Sequence, residues 1–155
     1  MQNDAQDGAK ALARLVAEEE KGRVSREEYA AAVIALVQLA QTSTSGGRAA
    51  AQVLLSCYNG YDFQADLTDL NNLDRGNFEL AIVVIRGRRD TGCEPHQVIK
   101  NGSDIFLELR KDWIHLHVAE RGKVPCRTCD GEGKIDGKPC SRCEGSGRAH
   151  PTVIR

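Results

Sequence analysis

The residues of this chain best suited to chemistry are cysteines set at a metal-binding spacing. Cys126-Arg-Thr-Cys129-Asp-Gly-Glu-Gly133 and Cys140-Ser-Arg-Cys143-Glu-Gly-Ser-Gly147 repeat one pattern, Cys-x-x-Cys-x-Gly-x-Gly, with ten residues between the inner cysteines. Two such pairs at that distance supply four thiolates to one tetrahedral Zn²⁺. A disulfide framework or a redox dithiol would use the same residue type, but the doubled spacing is the more specific mark of a metal. Residues 126–148 contain one Ile and no aromatic, so they cannot build an apolar core and need a metal to hold them. Zinc bound in such a module is worth about 10–16 kcal/mol, which is the folding free energy itself. With Cys126, Cys129, Cys140 and Cys143 all engaged, no position remains for water or substrate, so the expected ion is structural and single.

The neighbouring residues fit that expectation. Gly131, Gly133, Gly145 and Gly147 allow the positive φ values a backbone needs to wrap a metal-bound sulfur. Asp136-Gly137 is the two-residue turn of a hairpin whose arms are Lys134-Ile135 and Lys138-Pro139. Arg127, Lys134, Lys138 and Arg142 are placed to offset the excess negative charge of four thiolates.

Other candidate ligands are weaker. Residues 113–118 alternate strictly and predict a short strand, with Ile114, Leu116 and Val118 on one face and His115 and His117 on the other. With no third ligand nearby, the two histidines are expected to stay outside the metal site. Cys57 and Cys93 are expected as a small buried side chain and a loop thiol. The acids of residues 62–70 lack the oxygen spacing and glycine of a calcium loop. Asp66 and Asp69 take turn and cap roles there, beside Phe63, Leu67 and Leu70 as core anchors.

The elements that must carry this site are mainly α-helical. Ala9, Leu12, Leu15 and Val16 recur at helical spacing and predict a helix over 8–21. Ser25 and Glu28 form a capping box for a helix over 26–41, with Tyr29, Val33, Ile34, Leu36, Val37 and Ala40 inward. A third helix over 48–58, capped by Ser45 or a neighbour, packs through Ala49, Ala50, Val53 and Leu54, and Asn59-Gly60 stops it with a left-handed cap. A fourth, over 77–89, turns Phe78, Ala81, Ile82 and Ile85 inward. It ends in Arg86, Arg88 and Arg89, which serve either as favourable charge at a helix C-terminus or as a docking patch. Ser103 caps a fifth helix over 104–111. The expected organisation is a helical body over 1–119, a linker over 120–125 and the zinc hairpin over 126–150.

The chain has 155 residues, 41% hydrophobic and 5% aromatic, with a net charge of −1. That balance argues against an electrostatic nucleic-acid binder overall. Residues 1–119 carry 13 Lys and Arg against 17 Asp and Glu, while residues 120–155 carry 8 against 5. Nucleic acid therefore stays open as a partner only for the mildly basic zinc end. The first ten residues lack a secretory start, and the longest apolar stretch, residues 30–37, is too short to span a bilayer. No membrane partner is expected, and unpaired cysteines fit a reducing cytoplasm.

Residues 126–148 resemble the second half of the cysteine-rich domain of DnaJ-type co-chaperones, down to the Pro139-Cys140 step and the basic residue after Gly147. That domain has four repeats and two zinc ions, so two repeats here imply one. The J-domain His-Pro-Asp motif is missing, His150-Pro151 being followed by Thr152. The hairpin also resembles the single zinc hairpin of anti-TRAP proteins in its inner spacing and in Ile135, Gly137, Pro139 and Cys140. There the hairpin docks on a protein and blocks an RNA-binding surface. Doubled knuckles of this kind occur in phage antitermination proteins as well. Residues 46–113 resemble a family of uncharacterised bacterial and prophage proteins through Asp66, Leu67, Thr68, Asp69, Leu70 and Trp113, which implies a helical fold.

These residues describe a small zinc-binding protein-interaction module. The leading expectation is a phage or mobile-element regulator or inhibitor that docks on a host protein or nucleoprotein complex, through Arg127, Glu132, Lys138, Arg142 and Glu144. The alternatives are a nucleic-acid-binding or antitermination factor and a DnaJ-like binder of unfolded peptide. No nucleophile–base pair, phosphate loop or open metal position is present in the pattern, so an enzyme is not expected.

Overall fold

Ser25 and Glu28 satisfy each other's backbone as the capping box requires. Glu28 N–H donates to Ser25 Oγ at 3.2 Å, and Ser25 N–H donates to the Glu28 carboxylate at 2.9 Å. This starts one of five α-helices in a computed structural model that describes residues 2–151. The helices are α1 (Gln2–Lys21), α2 (Arg26–Ala40), α3 (Ser45–Tyr58), α4 (Arg75–Thr91) and α5 (Gly102–Asp112). Short 3-10 turns lie at Leu67–Asn72, Pro95–Gln97 and Ile114–Leu116, and four two-residue strands follow: β1 (Val124–Pro125), β2 (Lys134–Ile135), β3 (Lys138–Pro139) and β4 (Arg148–Ala149). The chain is thus mainly α, with two small antiparallel ladders near its end. No helix among the described residues is long and apolar enough to cross a membrane.

The chain divides into two compact units, Met1–Trp113 and Ile114–Arg155. That division falls before the 119/120 boundary read from the sequence, and Val124 and Pro125, read as linker, are paired strand residues.

In the first unit α2, α3 and α4 pack together. Tyr29, Val33 and Leu36 of α2, Ala49 to Leu55 of α3, and Ala81 and Val84 of α4 are buried, joined by Phe63, Phe106 and Leu109. Gly87 sets the register of α4. A Cβ there would lie 2.4 Å from Cγ of Tyr29, so only glycine lets the helix close on that ring. The inward residues are therefore Ala81, Val84 and Gly87. Phe78 and Ile85, expected inside, are exposed, and Ile82 is half-buried. The continuous run Ile82-Val83-Val84-Ile85 does not specify a face, and the glycine does.

Other boundaries move for similar local reasons. Helix α3 begins at Ser45, with Thr44 Oγ accepting from Gly47 N–H at 3.0 Å. Asn59 is extended at φ −146 rather than left-handed. Its side-chain oxygen accepts from the N–H groups of Tyr61 and Asp62, which ends the helix in another way. Helix α5 begins at Gly102, so Ser103 lies inside it, and a Cβ on Gly102 would sit 1.9 Å from the carbonyl oxygen of His96. Leu67 is 75% exposed, and Leu73 is buried in its place. Ile34, Leu12, Leu15 and Val16 are exposed as well, because apolar spacing alone does not supply a surface to cover them. The side chain of Ala9 lies outside the described residues.

Asp66 caps the first 3-10 turn by accepting from Thr68 N–H at 2.9 Å. Asp69 does something the sequence did not suggest. It accepts from the buried side chain of Gln52 and pairs with Arg48 at 3.1 Å. Gln52 Oε1 accepts from Asp66 N–H at 2.7 Å, so one buried amide fastens the Asp-Leu-Thr-Asp-Leu segment to α3. Trp113 closes the unit by donating its indole N–H to Ala40 O at 2.8 Å.

The strand expected over 113–118 does not form. Residues Ile114–Leu116 make a 3-10 turn, and the N–H groups of His117, Glu120 and Arg121 turn back on the carbonyls of Ile114 and His117. Alternation without a partner strand gives no ladder. Leu116 is buried, while Ile114 and Val118 are exposed.

Candidate metal centre

The second unit is built around its cysteines. β2 and β3 pair as predicted, Lys134 opposite Pro139 and Ile135 opposite Lys138. Asp136 and Gly137 turn between them with φ of 50 and 78, the pair of positive values a type I′ turn needs. At the other end β1 pairs with β4, Val124 opposite Ala149 and Pro125 opposite Arg148. A shift of 14 residues carries β1 onto β3, β2 onto β4 and each cysteine of the first pair onto one of the second. The module is therefore an internal two-fold.

That symmetry extends to the atoms around the sulfurs. Cys126 N–H donates to Gly147 O, and Cys140 N–H donates to Gly133 O, both at 2.8 Å. Gly133 N–H points at Cys129 Sγ at 3.2 Å, and Gly147 N–H at Cys143 Sγ at 3.3 Å. The two glycines are also where the halves interlock. A Cβ on Gly133 would lie 2.3 Å from Gly145 O, and one on Gly147 would lie 2.3 Å from Gly131 O.

All four cysteines are buried, and their sulfurs lie within 4.8 Å of one another. Cys126 and Cys140 are 4.0 Å apart at sulfur, Cys129 and Cys143 3.7 Å. Four Zn–S bonds of about 2.3 Å at tetrahedral angles place sulfurs about 3.8 Å apart. The cluster therefore suits one zinc ion, and the N–H donors suit thiolate ligands. The thiols taken alone titrate apart. Burial raises both, but N–H groups of Thr128 and Cys129 bring Cys126 down to about 7, while Cys129 is pushed up to about 11. A dication resolves that conflict by holding every sulfur deprotonated.

Among the described residues this is the one group of three or more His, Cys, Asp or Glu placed to hold a metal. His115 is exposed, and His117 Nδ1 accepts from Ala119 N–H at 3.1 Å. Cys57 is half-buried on α3, its thiol pushed up to about 11 by burial. Cys93 follows α4 in a loop and accepts from Arg26 Nη1 at 3.4 Å.

The basic residues sort by geometry. Arg88 donates to Cys57 O and Gly92 O, capping the ends of α3 and α4, and Arg86 donates to Gly22 O. Arg142 Nη2 reaches His150 O at 3.1 Å, so it braces the chain end as well as lying on the rim. Arg127, Glu132, Lys138 and Glu144 are exposed.

What the eight-residue pattern missed is the full length of the repeat. Residues 124–135 and 138–149 align throughout, with Pro125 and Pro139 before the knuckles and Lys134 and Arg148 after them. The prolines and basic residues are visible in the sequence and would have extended the motif to β1 and β4.

No curated protein and no solved structure matches the chain. A family of unknown function, DUF7673, matches residues 30–114, just over half of the chain. The match runs from within α2 to the first residue of the second unit, takes in the Asp66–Leu70 segment, and leaves the metal centre outside it. On that match the chain belongs to the family of unknown function DUF7673.

Proposed function

We propose that this chain is a metal-stabilised protein-interaction module without chemistry of its own, acting as a regulator that docks on another protein. The carrying observation is that four buried sulfurs lie within 4.8 Å of one another, enough to fill every position of a tetrahedral zinc and leave the metal only the task of shaping the loops. Charge supports a protein over a nucleic acid. Residues 120–151 carry seven basic and five acidic side chains, and four thiolates around a dication add two negative charges. The loaded module is then close to neutral, whereas a phosphate reader needs a one-sided basic surface. The exposed Arg127, Glu132, Lys138 and Glu144 mix signs on a rigid frame, which suits register and selectivity against a folded partner. The resemblance of the hairpin to anti-TRAP proteins supports an inhibitory docking role, and the resemblance of residues 46–113 to bacterial and prophage proteins supports a phage or mobile-element setting.

The test is affinity capture from a host lysate with the native chain and with Arg127→Glu/Lys138→Glu. Arg142 is left intact because it braces His150. One stoichiometric protein, lost in the double variant while zinc content holds, is the expected result. Salt-dependent retention on DNA or heparin, with no captured protein, would replace this reading with the nucleic-acid one.

A further inference from the structure

The two ends of the metal module are not closed in the same way. The β2–β3 end is closed covalently by Asp136 and Gly137. At the β1–β4 end the chain enters and leaves, and no turn joins the strands. A side chain spans that open end instead. Arg148 Nη2 donates to Lys123 O at 2.7 Å, one residue before β1, and Lys123 is itself paired with Glu120 at 2.7 Å. The residue equivalent to Lys123 in the second repeat is Gly137, in the covalent turn. The residue equivalent to Arg148 in the first repeat is Lys134, which is exposed and holds no carbonyl in this way among the described residues.

We propose that Arg148 is a positioning residue for the metal site, doing for β1 and β4 what the Asp136-Gly137 turn does for β2 and β3. Lys123 O lies three residues before Cys126, and Cys126 N–H bonds to Gly147 O, the residue before Arg148. Clamping Lys123 therefore holds the Cys126 sulfur at its place opposite Cys140. Cys140, reached through the covalent turn, does not need the clamp. Guanidinium suits the task because its planar fork is ordered at less entropy loss per hydrogen bond than a lysine ammonium. The inference rests on the four cysteines holding a metal.

The experiment uses the full chain as native protein, Arg148→Ala, Arg148→Lys and Lys134→Ala. Zinc content is measured first, then zinc affinity by competition with a chromophoric chelator, then amide hydrogen exchange of the loaded proteins. Arg148→Ala is expected to bind zinc about tenfold or more weakly, the range for removing an outer-shell partner. Exchange at the Cys126 amide should quicken, with the Cys140 amide unchanged. Arg148→Lys should fall between, and Lys134→Ala should lose only the small affinity, well under tenfold, that one exposed charge near the thiolates supplies, with exchange at Cys126 unchanged. Lys134→Ala removes the same charge near the thiolates, so it controls for electrostatics. Equal weakening by Arg148→Ala and Lys134→Ala, no weakening by either, or equal quickening at Cys126 and Cys140 would overturn the proposal. If Arg148→Ala cannot be loaded, Arg148→Lys carries the same comparison of Cys126 with Cys140. Native protein that binds no zinc would overturn the metal reading itself, and the clamp with it.

Discussion

Replacing Gly133 with alanine should damage the metal centre far more than the same change at Gly137, although both glycines have positive φ. Their φ values are 76 and 78, so the strain of putting a side chain in the left-handed region is shared, at about 1–2 kcal/mol. The surroundings differ. A Cβ on Gly137 meets nothing within 4 Å, while one on Gly133 would lie 2.3 Å from the backbone oxygen of Gly145. That oxygen belongs to the opposite repeat and cannot rotate away, so the halves must separate. Separation disturbs Gly133 N–H over the Cys129 sulfur and the bond from Cys140 N–H to Gly133 O. Overpacking of this kind costs about 1–3 kcal/mol beyond the φ term. The module has no apolar core, so the loss appears in metal affinity rather than in a separate folding step. At 1.4 kcal/mol per factor of ten, Gly137→Ala should weaken zinc about 5- to 30-fold, and Gly133→Ala about 30- to several thousand-fold. Competition against a chromophoric chelator reads both. Gly131→Ala, with its nearest contact at 3.7 Å, should behave like Gly137→Ala. Equal affinities for the Gly133 and Gly137 variants would refute the interlock of the two repeats.

Two further outcomes concern the helical unit. Gly87→Ala drives a methyl into the Tyr29 ring and should lower stability by about 1–3 kcal/mol, read as a fall in the thermal unfolding midpoint. Glu28 is held below the ordinary carboxylate range by Ser25 N–H first and by the Ser25 hydroxyl second. A depressed folded pKa gives stability that is present above the unfolded carboxylate value and lost as pH falls through the folded one. Acid unfolding monitored by circular dichroism should therefore flatten in Glu28→Gln, and an unchanged acid limb would count against the capping box as its source.

The parts of this molecule that were legible in sequence are those whose signal is local. The capping box of α2 depends on residues three apart, the Asp136-Gly137 turn on two adjacent ones, and the zinc knuckles on a spacing that few other structures need. The misplaced parts depended on distant partners. The inward face of α4 was set by the missing Cβ at Gly87 against Tyr29 of α2, which no periodicity within α4 encodes. The start of α5 was set by the close approach of Gly102 to His96, and Gln52 reads as a surface residue until Asp66 and Asp69 fold over it. Residues 113–118 show the opposite failure, a local strand pattern with no neighbour to pair with. The β1–β4 ladder was recoverable, because Pro125 and Arg148 repeat Pro139 and Lys134, but only by extending the repeat beyond the glycines.

The central claim is that Cys126, Cys129, Cys140 and Cys143 hold one zinc ion as a closed structural site. Its most direct test is metal analysis with native mass spectrometry of the native chain beside Cys140→Ser, His117→Ala and His150→Ala. One zinc per native chain is predicted, retained in both histidine variants and lost or sharply reduced in Cys140→Ser. A content near two per chain, or zinc undiminished in Cys140→Ser, would contradict it.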